Sequence, residues 1–319
     1  MNVDLLLENL TNPALLFFLL GILAVLLKSD LEIPGTSSQF ISLYLLFSIG
    51  FKGGHELAHA QFEMSILWSI VLAIGTSILI PLYTFFIIKP RLGTSNAAAI
   101  AASYGSISAV TFITAISFLE LQEISFGGHM VAIMAMLEAP AIMVGVLLLN
   151  FFKEDQQNRL TPKEIFQHAF TNGSVLLILG SLVAGWIASD AQAKGIEPFT
   201  TDIFKGFLAI FLLDMGISSG RKIGKLFKHG PFVLAFSIII PIINGCLIAW
   251  ISGFITTEVG DRFLLSILAA SASYIAVPAA MKIAAPEANP SLYLPMALAI
   301  TFPFNITLGF PIYMQVINW

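Results

Sequence analysis

The chain has 319 residues, of which 57% are hydrophobic and 11% charged, with a formal net charge of −4 and a mean hydropathy of +0.89. A soluble domain carries about 25% charged residues, so a soluble catalytic domain is excluded and the apolar residues must face lipid. The single cysteine, Cys246, excludes an intramolecular disulfide and a cysteine-based metal cluster.

A helix needs about 20 apolar residues to cross a bilayer. Hydropathy places ten such spans, at 13–27, 40–57, 66–88, 96–119, 126–152, 174–188, 202–220, 231–255, 261–285 and 291–317. Before the first lie Asp4 and Glu8, and the first basic residue is Lys28. A signal peptide needs a basic segment ahead of its apolar core, so this run reads as a retained helix. The second span ends in "HELAH" at 55–59. That fits H-E-x-x-H, which places two histidines on one helix face for zinc with the glutamate as base. With Asp214 as a third ligand it gives the competing reading, an intramembrane zinc protease. The fourth span holds Ser103, Gly105, Ser106, Ser108 and Thr111, and the fifth carries Glu138 beside Pro140. The polar stretch 153–173 then divides the chain into a first five-helix repeat, 1–152, and a second, 174–319. In the second half the seventh span carries Asp214, followed by Arg221, Lys222, Lys225 and Lys228. The ninth holds Ser271, Ser273 and Pro278, and the tenth holds Thr301, Pro303 and Asn305.

The halves resemble each other in order. "SILIPL" at 77–82 matches "SIIIPI" at 237–242, "FSIGFKGG" at 47–54 matches "LDMGISSG" at 213–220, and "AAS" recurs at 101–103 and 269–271. Five spans per half is an odd number, so the second half enters the membrane from the opposite side. The expected fold is therefore an all-α membrane protein of two inverted five-helix repeats with interrupted fourth and ninth helices, an architecture of secondary transporters. With the N-terminus outside, eleven of the fifteen Lys and Arg residues fall in cytoplasmic loops. Basic residues stay on the cytoplasmic side, which predicts a multi-pass protein of the inner (plasma) membrane with both termini outside. The basic run after the seventh span reads first as a topology signal and second as a contact for anionic membrane lipids.

Interrupted helices leave N–H groups unpaired and turn positive helix ends toward a midplane site. Gly105, Ser106, Ser108, Ser271 and Ser273 are therefore the predicted substrate-binding residues, for a small anion. The two mid-span acids, Asp214 and Glu138, mark an ion pathway. Asp214 corresponds to Ser48 in the first repeat, and Glu138 to Thr301 in the second, with Asn305 one turn beyond. All present oxygen, as a hard cation requires, so these five are the expected ligands of a coupling cation. Nucleic acid and organic cofactors are not expected, and the function class is transport rather than catalysis.

The motifs "FKGG", "YGSISAVTF", "LEAPAI", "LLDMGI", "ASASYIAVPAAM" and "PEANPSLYLPMALAITFPFNITLGFPIY" resemble the sodium-dependent bicarbonate symporters best known from cyanobacteria. The resemblance covers nearly all ten spans. It implies Na+-coupled bicarbonate uptake, an elevator-like core moving against a gate domain, and a homotrimer. It would place bicarbonate at Ser106, Ser108, Ser271 and Ser273 with sodium close by. Cyanobacterial members carry a longer cytoplasmic connection and are regulated by a PII-like signalling protein. The short 153–173 connection departs from that pattern, and leaves the basic run after the seventh span as the remaining docking face. The residues alone leave open a sodium- or proton-coupled transporter of another small anion, such as a short carboxylate.

Overall fold

The computed structural model describes residues 11–59, 63–152, 173–226 and 229–319, and the described residues contain helices and no strands. The 153–173 connection therefore lies outside the described residues except for Gly173, which begins a helix.

The first half opens with α1 (Pro13–Leu26). The Asn12 side chain accepts from the Ala14 N–H at 2.9 Å and Pro13 occupies the first turn, a combination that starts helices. α2 (Gly35–His59) and α3 (Met64–Leu92) follow. α3 ends at Gly93, whose φ of +79° lets the chain turn back at once into α4 (Thr94–Gly105). After a gap of three non-helical residues comes α5 (Ala109–Leu121). The fifth predicted span is divided, into α6 (His129–Met136) and α7 (Glu138–Phe152). Pro140 explains the division, because a proline in the first turn removes a donor that a continuous helix would use.

The second half contains α8 (Gly173–Ile187), α9 (Asp190–Glu197), α10 (Phe204–Leu226), α11 (Pro231–Ile251), α12 (Val259–Ala270), α13 (Ala276–Ala284) and α14 (Pro290–Ile317). α10 runs six residues past the predicted end of its span, so Arg221 and Lys222 lie on its last turns. α14 holds π-helical stretches at Met296–Thr301 and Asn305–Gly309. Pro295, Pro303 and Pro311 remove backbone donors along it, which loosens the regular ladder.

All ten predicted spans are present as helical units. Among the described residues, six segments are long and apolar enough to cross a membrane by length and composition: 64–92, 94–121, 129–152, 190–224, 231–254 and 290–317. α1 and α8 are shorter apolar helices. The many large apolar side chains left exposed, such as Phe17, Leu79, Phe151, Leu176 and Ile243, fit a lipid-facing surface.

Packing crosses between the halves in two matching ways. α1 lies against α10, and α8 lies against α2. At the first crossing a Cβ on Gly216 would collide with the Phe18 carbonyl and lie 3.1 Å from the Gly21 Cα. At the second a Cβ on Gly54 would lie 2.9 Å from the Leu182 Cα, and one on Gly185 would lie 3.0 Å from the His55 nitrogen. Glycine at these points lets backbones touch, the usual basis of close helix crossing in membranes. The remaining helices form a second group, with α3 against α4 and α7, and α11 against α12 and α14.

Candidate functional site

α4 and α5 break at residues 106–108, and α12 and α13 break at 271–275. Ser106 (φ −91°, ψ 165°), Ser108 (φ −107°, ψ 107°) and Ser271 (φ −85°, ψ 168°) are all extended. The two breaks cross and bind each other. The Ser273 N–H donates to the Ser103 carbonyl at 2.8 Å, and the Ser103 hydroxyl donates back to the Ser273 carbonyl at 2.6 Å. The Ser108 N–H donates to Ser271 Oγ at 3.1 Å, and that hydroxyl donates to the Leu268 carbonyl at 3.2 Å. Several backbone groups freed by the interruptions, among them the Ser108 and Ser273 N–H groups and the Ser103 and Ser273 carbonyls, are thus satisfied by the opposite break, as a non-aqueous setting demands.

The serines divide by role. Ser108 Oγ accepts from the Thr111 N–H at 3.2 Å and caps α5, while Ser273 Oγ accepts from the Val277 N–H at 3.4 Å and does the same for α13. Both keep their hydroxyl protons. Ser271 is committed to the crossing. Ser106 is fully buried and its Oγ has no hydrogen-bond partner. A buried hydroxyl left unpaired costs about 1–3 kcal/mol, and such a group calls for a ligand or another explanation. Gly105 has a packing reason for its missing side chain: a Cβ there would run into the Pro81 ring of α3.

A cavity of about 30 Å³ opens beside the crossing, between Ser108 and Ser273 on one side and Ser42 and Leu46 of α2 and Phe211 of α10 on the other. The buried Tyr274 hydroxyl faces Ser108 here. Among the described residues, no charged one lines this cavity. Any anion held there is met by hydroxyls, N–H groups and the N-terminal ends of α5 and α13.

The five expected cation ligands do not form one cluster. Thr301 and Asn305 sit beside the crossing. Thr301 Oγ1 donates to the Ser237 carbonyl at 2.8 Å, which leaves the Tyr104 hydroxyl as its donor, also at 2.8 Å. Asn305 Nδ2 donates to the Ala270 carbonyl at 2.9 Å, capping the end of α12, and Asn305 Oδ1 accepts from the Tyr313 hydroxyl at 2.9 Å. Asp214 is half-buried on α10 and accepts from the Ser38 hydroxyl of α2 at 2.5 Å. Ser48 lies ten residues further along α2, which is about 15 Å of helix rise, so Asp214 and Ser48 do not share a site. Ser48 lines a separate cavity with Lys52, Glu56 and Glu120. There Lys52 Nζ lies 2.7 Å from Glu120 Oε1 and ties α2 to α5. Glu138 begins α7, and its side chain lies outside the described residues.

The zinc-protease arrangement is also altered. Asp214 pairs with Ser38 and is not the third ligand of the "HELAH" histidines. The carboxylate beside them is Asp190, whose Oδ1 lies 3.5 Å from His55 Nε2 and 3.1 Å from His59 Nε2. Glu56 lines the cavity with Lys52 and Glu120.

Sequence reasoning missed Tyr104, Tyr274 and Asp190. Tyrosines in apolar runs read as packing, although each directly follows a serine of the break. Asp190 had a usable signal: Ser189 and Gln192 form a capping box that starts α9.

Set beside known proteins, the family model described as the Na+-dependent bicarbonate transporter superfamily matches residues 13–318. Comparison with curated proteins finds no match.

Proposed function

The chain belongs to the Na+-dependent bicarbonate transporter superfamily, and we propose that it carries bicarbonate inward together with sodium. The observation that carries this reading is the crossing itself. Two interrupted helices aim the N-termini of α5 and α13 at a cavity whose described lining carries no charged side chain, one residue along the chain from Ser106 with its unpaired hydroxyl. Bicarbonate has one charge spread over oxygens. Helix ends and hydroxyls can stabilise it without the tight grip of a lysine or arginine, which would slow release. Ser106, Ser108 and the Tyr274 hydroxyl are the donors in this reading. Ser271 and Ser273 hold the two breaks in register, and Gly105 sets the seat of the first break on Pro81.

Sodium prefers oxygen. Thr301 and Asn305 offer side-chain oxygens one turn apart next to the crossing, and they are the favoured sodium contacts. Asp214 supplies the charge. Its described partner is a neutral hydroxyl of α2, and among the described residues no cation pairs with the carboxylate. Glu138 is the second carboxylate of the proposal.

The transport movement is an elevator. The group α3–α7 with α11–α14 carries the crossing and slides against α1, α2, α8 and α10. The cavity lies at the seam between these groups, with Ser42, Leu46 and Phe211 contributed from the second. The paired contacts of α1 with α10 and α8 with α2 support two inverted repeats, with both termini outside. Assembly as a homotrimer belongs to the same proposal.

Uptake of labelled bicarbonate into proteoliposomes, with and without an inward sodium gradient, tests the reading. Sodium-stimulated accumulation is the expected result. Absence of uptake under both conditions overturns it, and preferential uptake of a short carboxylate would change the substrate.

A further inference from the structure

The end of α2 carries chemistry that anion transport does not use. His55 and His59 are one turn apart on one face, and Asp190 begins α9 opposite them. The Asp190 Oδ1 distances of 3.5 Å and 3.1 Å to the two Nε2 atoms bracket the ligand-to-ligand spacing of about 3.3 Å that a tetrahedral ion with bonds near 2.0–2.1 Å requires. All three ligand atoms lie within 4.8 Å of one another. The carboxylate is held on a fixed helix start: Ser189 Oγ accepts from the Gln192 N–H and Gln192 Oε1 accepts from the Ser189 N–H.

We propose that His55, His59 and Asp190 form a site for a divalent transition-metal ion of the zinc class. Two imidazoles and one carboxylate suit zinc, nickel or copper, whereas sodium, magnesium and calcium favour all-oxygen shells. The side chains of His59 and Asp190 are 61% and 74% exposed, so water completes the coordination and the ion enters directly from solvent. His55 Nδ1 is buried without a hydrogen-bond partner. Metal on Nε2 puts the proton on Nδ1, and a ligating histidine without a second partner commonly binds about 10–100-fold more weakly. The site is therefore a micromolar, exchangeable one rather than a permanent structural centre. Because the ligands come from α2 and α9, the ion fastens the two halves together at one end of the α2–α8 pair. This inference stands apart from the bicarbonate reading, since it concerns a different surface and is tested by binding alone.

The test uses the full chain, purified in detergent with any affinity tag removed, and titrated with zinc against a chromogenic chelator. One zinc per chain in the micromolar range is expected. His59→Ala and Asp190→Asn should each weaken binding by about tenfold or more, while His129→Ala leaves it unchanged. Zinc at about ten times the wild-type dissociation constant should raise the melting temperature of the wild type clearly more than that of Asp190→Asn. Cobalt should give the visible absorption of a tetrahedral site in the wild type only. Equal zinc affinity in wild type, His59→Ala and Asp190→Asn, or an equal melting shift in all three, overturns the site.

Discussion

The serines at the crossing make separable demands. Ser106 Oγ is buried and unpaired without ligand, so Ser106→Ala removes a group that the empty protein does not use. We expect an unchanged or slightly raised melting temperature together with an apparent bicarbonate affinity lowered by about tenfold, the loss of one hydrogen bond to a charged group. Ser108→Ala should behave differently. It removes the cap of α5 as well as a donor, so stability falls by about 1 kcal/mol alongside affinity. Thermal melts of both variants with and without bicarbonate distinguish these outcomes. Equal affinities in wild type and Ser106→Ala would assign that serine to packing. At Asp214, the Asn variant keeps the shape and the Ser38 contact but removes the charge. It should reach the membrane and need several-fold more sodium for half-maximal uptake, and superimposable sodium-activation curves would make Asp214 structural. At this scale the two helix breaks were legible in the sequence. Small polar residues clustered with glycine stand out in an apolar run, and a mid-span acid is conspicuous. What was not legible is how each hydroxyl is committed. The exchange between Ser103 and Ser273 depends on two strands of chain meeting at a distance of 170 residues, and no local pattern encodes it. The dispersal of the supposed cation ligands has the same origin, since Ser48 and Asp214 correspond in sequence yet attach to distant points along α2.

Among the elements, α2 connects to several others. It meets α8 through Gly54, holds Asp214 through Ser38, and reaches α5 through the Lys52–Glu120 pair. That pair joins the two helix groups which the elevator reading sets in relative motion, and its side chains are 36% and 25% exposed. Removing one partner strands the other charge in a half-buried place, a loss between those of exposed and fully buried pairs, or about 1–2 kcal/mol. Lys52→Met should therefore lower stability more than the double variant Lys52→Met with Glu120→Gln. Additive losses in chemical denaturation would show that the two residues act independently. The helices themselves were readable from hydropathy because lipid forces every spanning segment to satisfy its backbone internally. The division of α6 from α7 and the π-helical stretches of α14 were not. Their prolines were visible, but a proline shows only that a donor is missing, not how the chain re-forms its ladder around the gap.

For the whole molecule, orientation is the sharpest question. In a Cys246→Ser background, a single cysteine placed within 153–172 should react with impermeant reagents only from the cytoplasmic side, and labelling from outside would reverse the proposed topology. The order of the spans was readable from hydropathy. Their exchange of partners was not, because hydropathy carries no information on which helix touches which. That exchange bears on how the protein is made. When the ribosome has finished residue 152, α1 has no α10 and α2 has no α8. The touching glycine backbones of the first half then wait in the bilayer for chain not yet synthesised. The N-terminal half is thus expected to be a target of quality control until its counterpart arrives. Synthesised alone it should be degraded, whereas two separately encoded halves, produced in the same cell, should rescue one another.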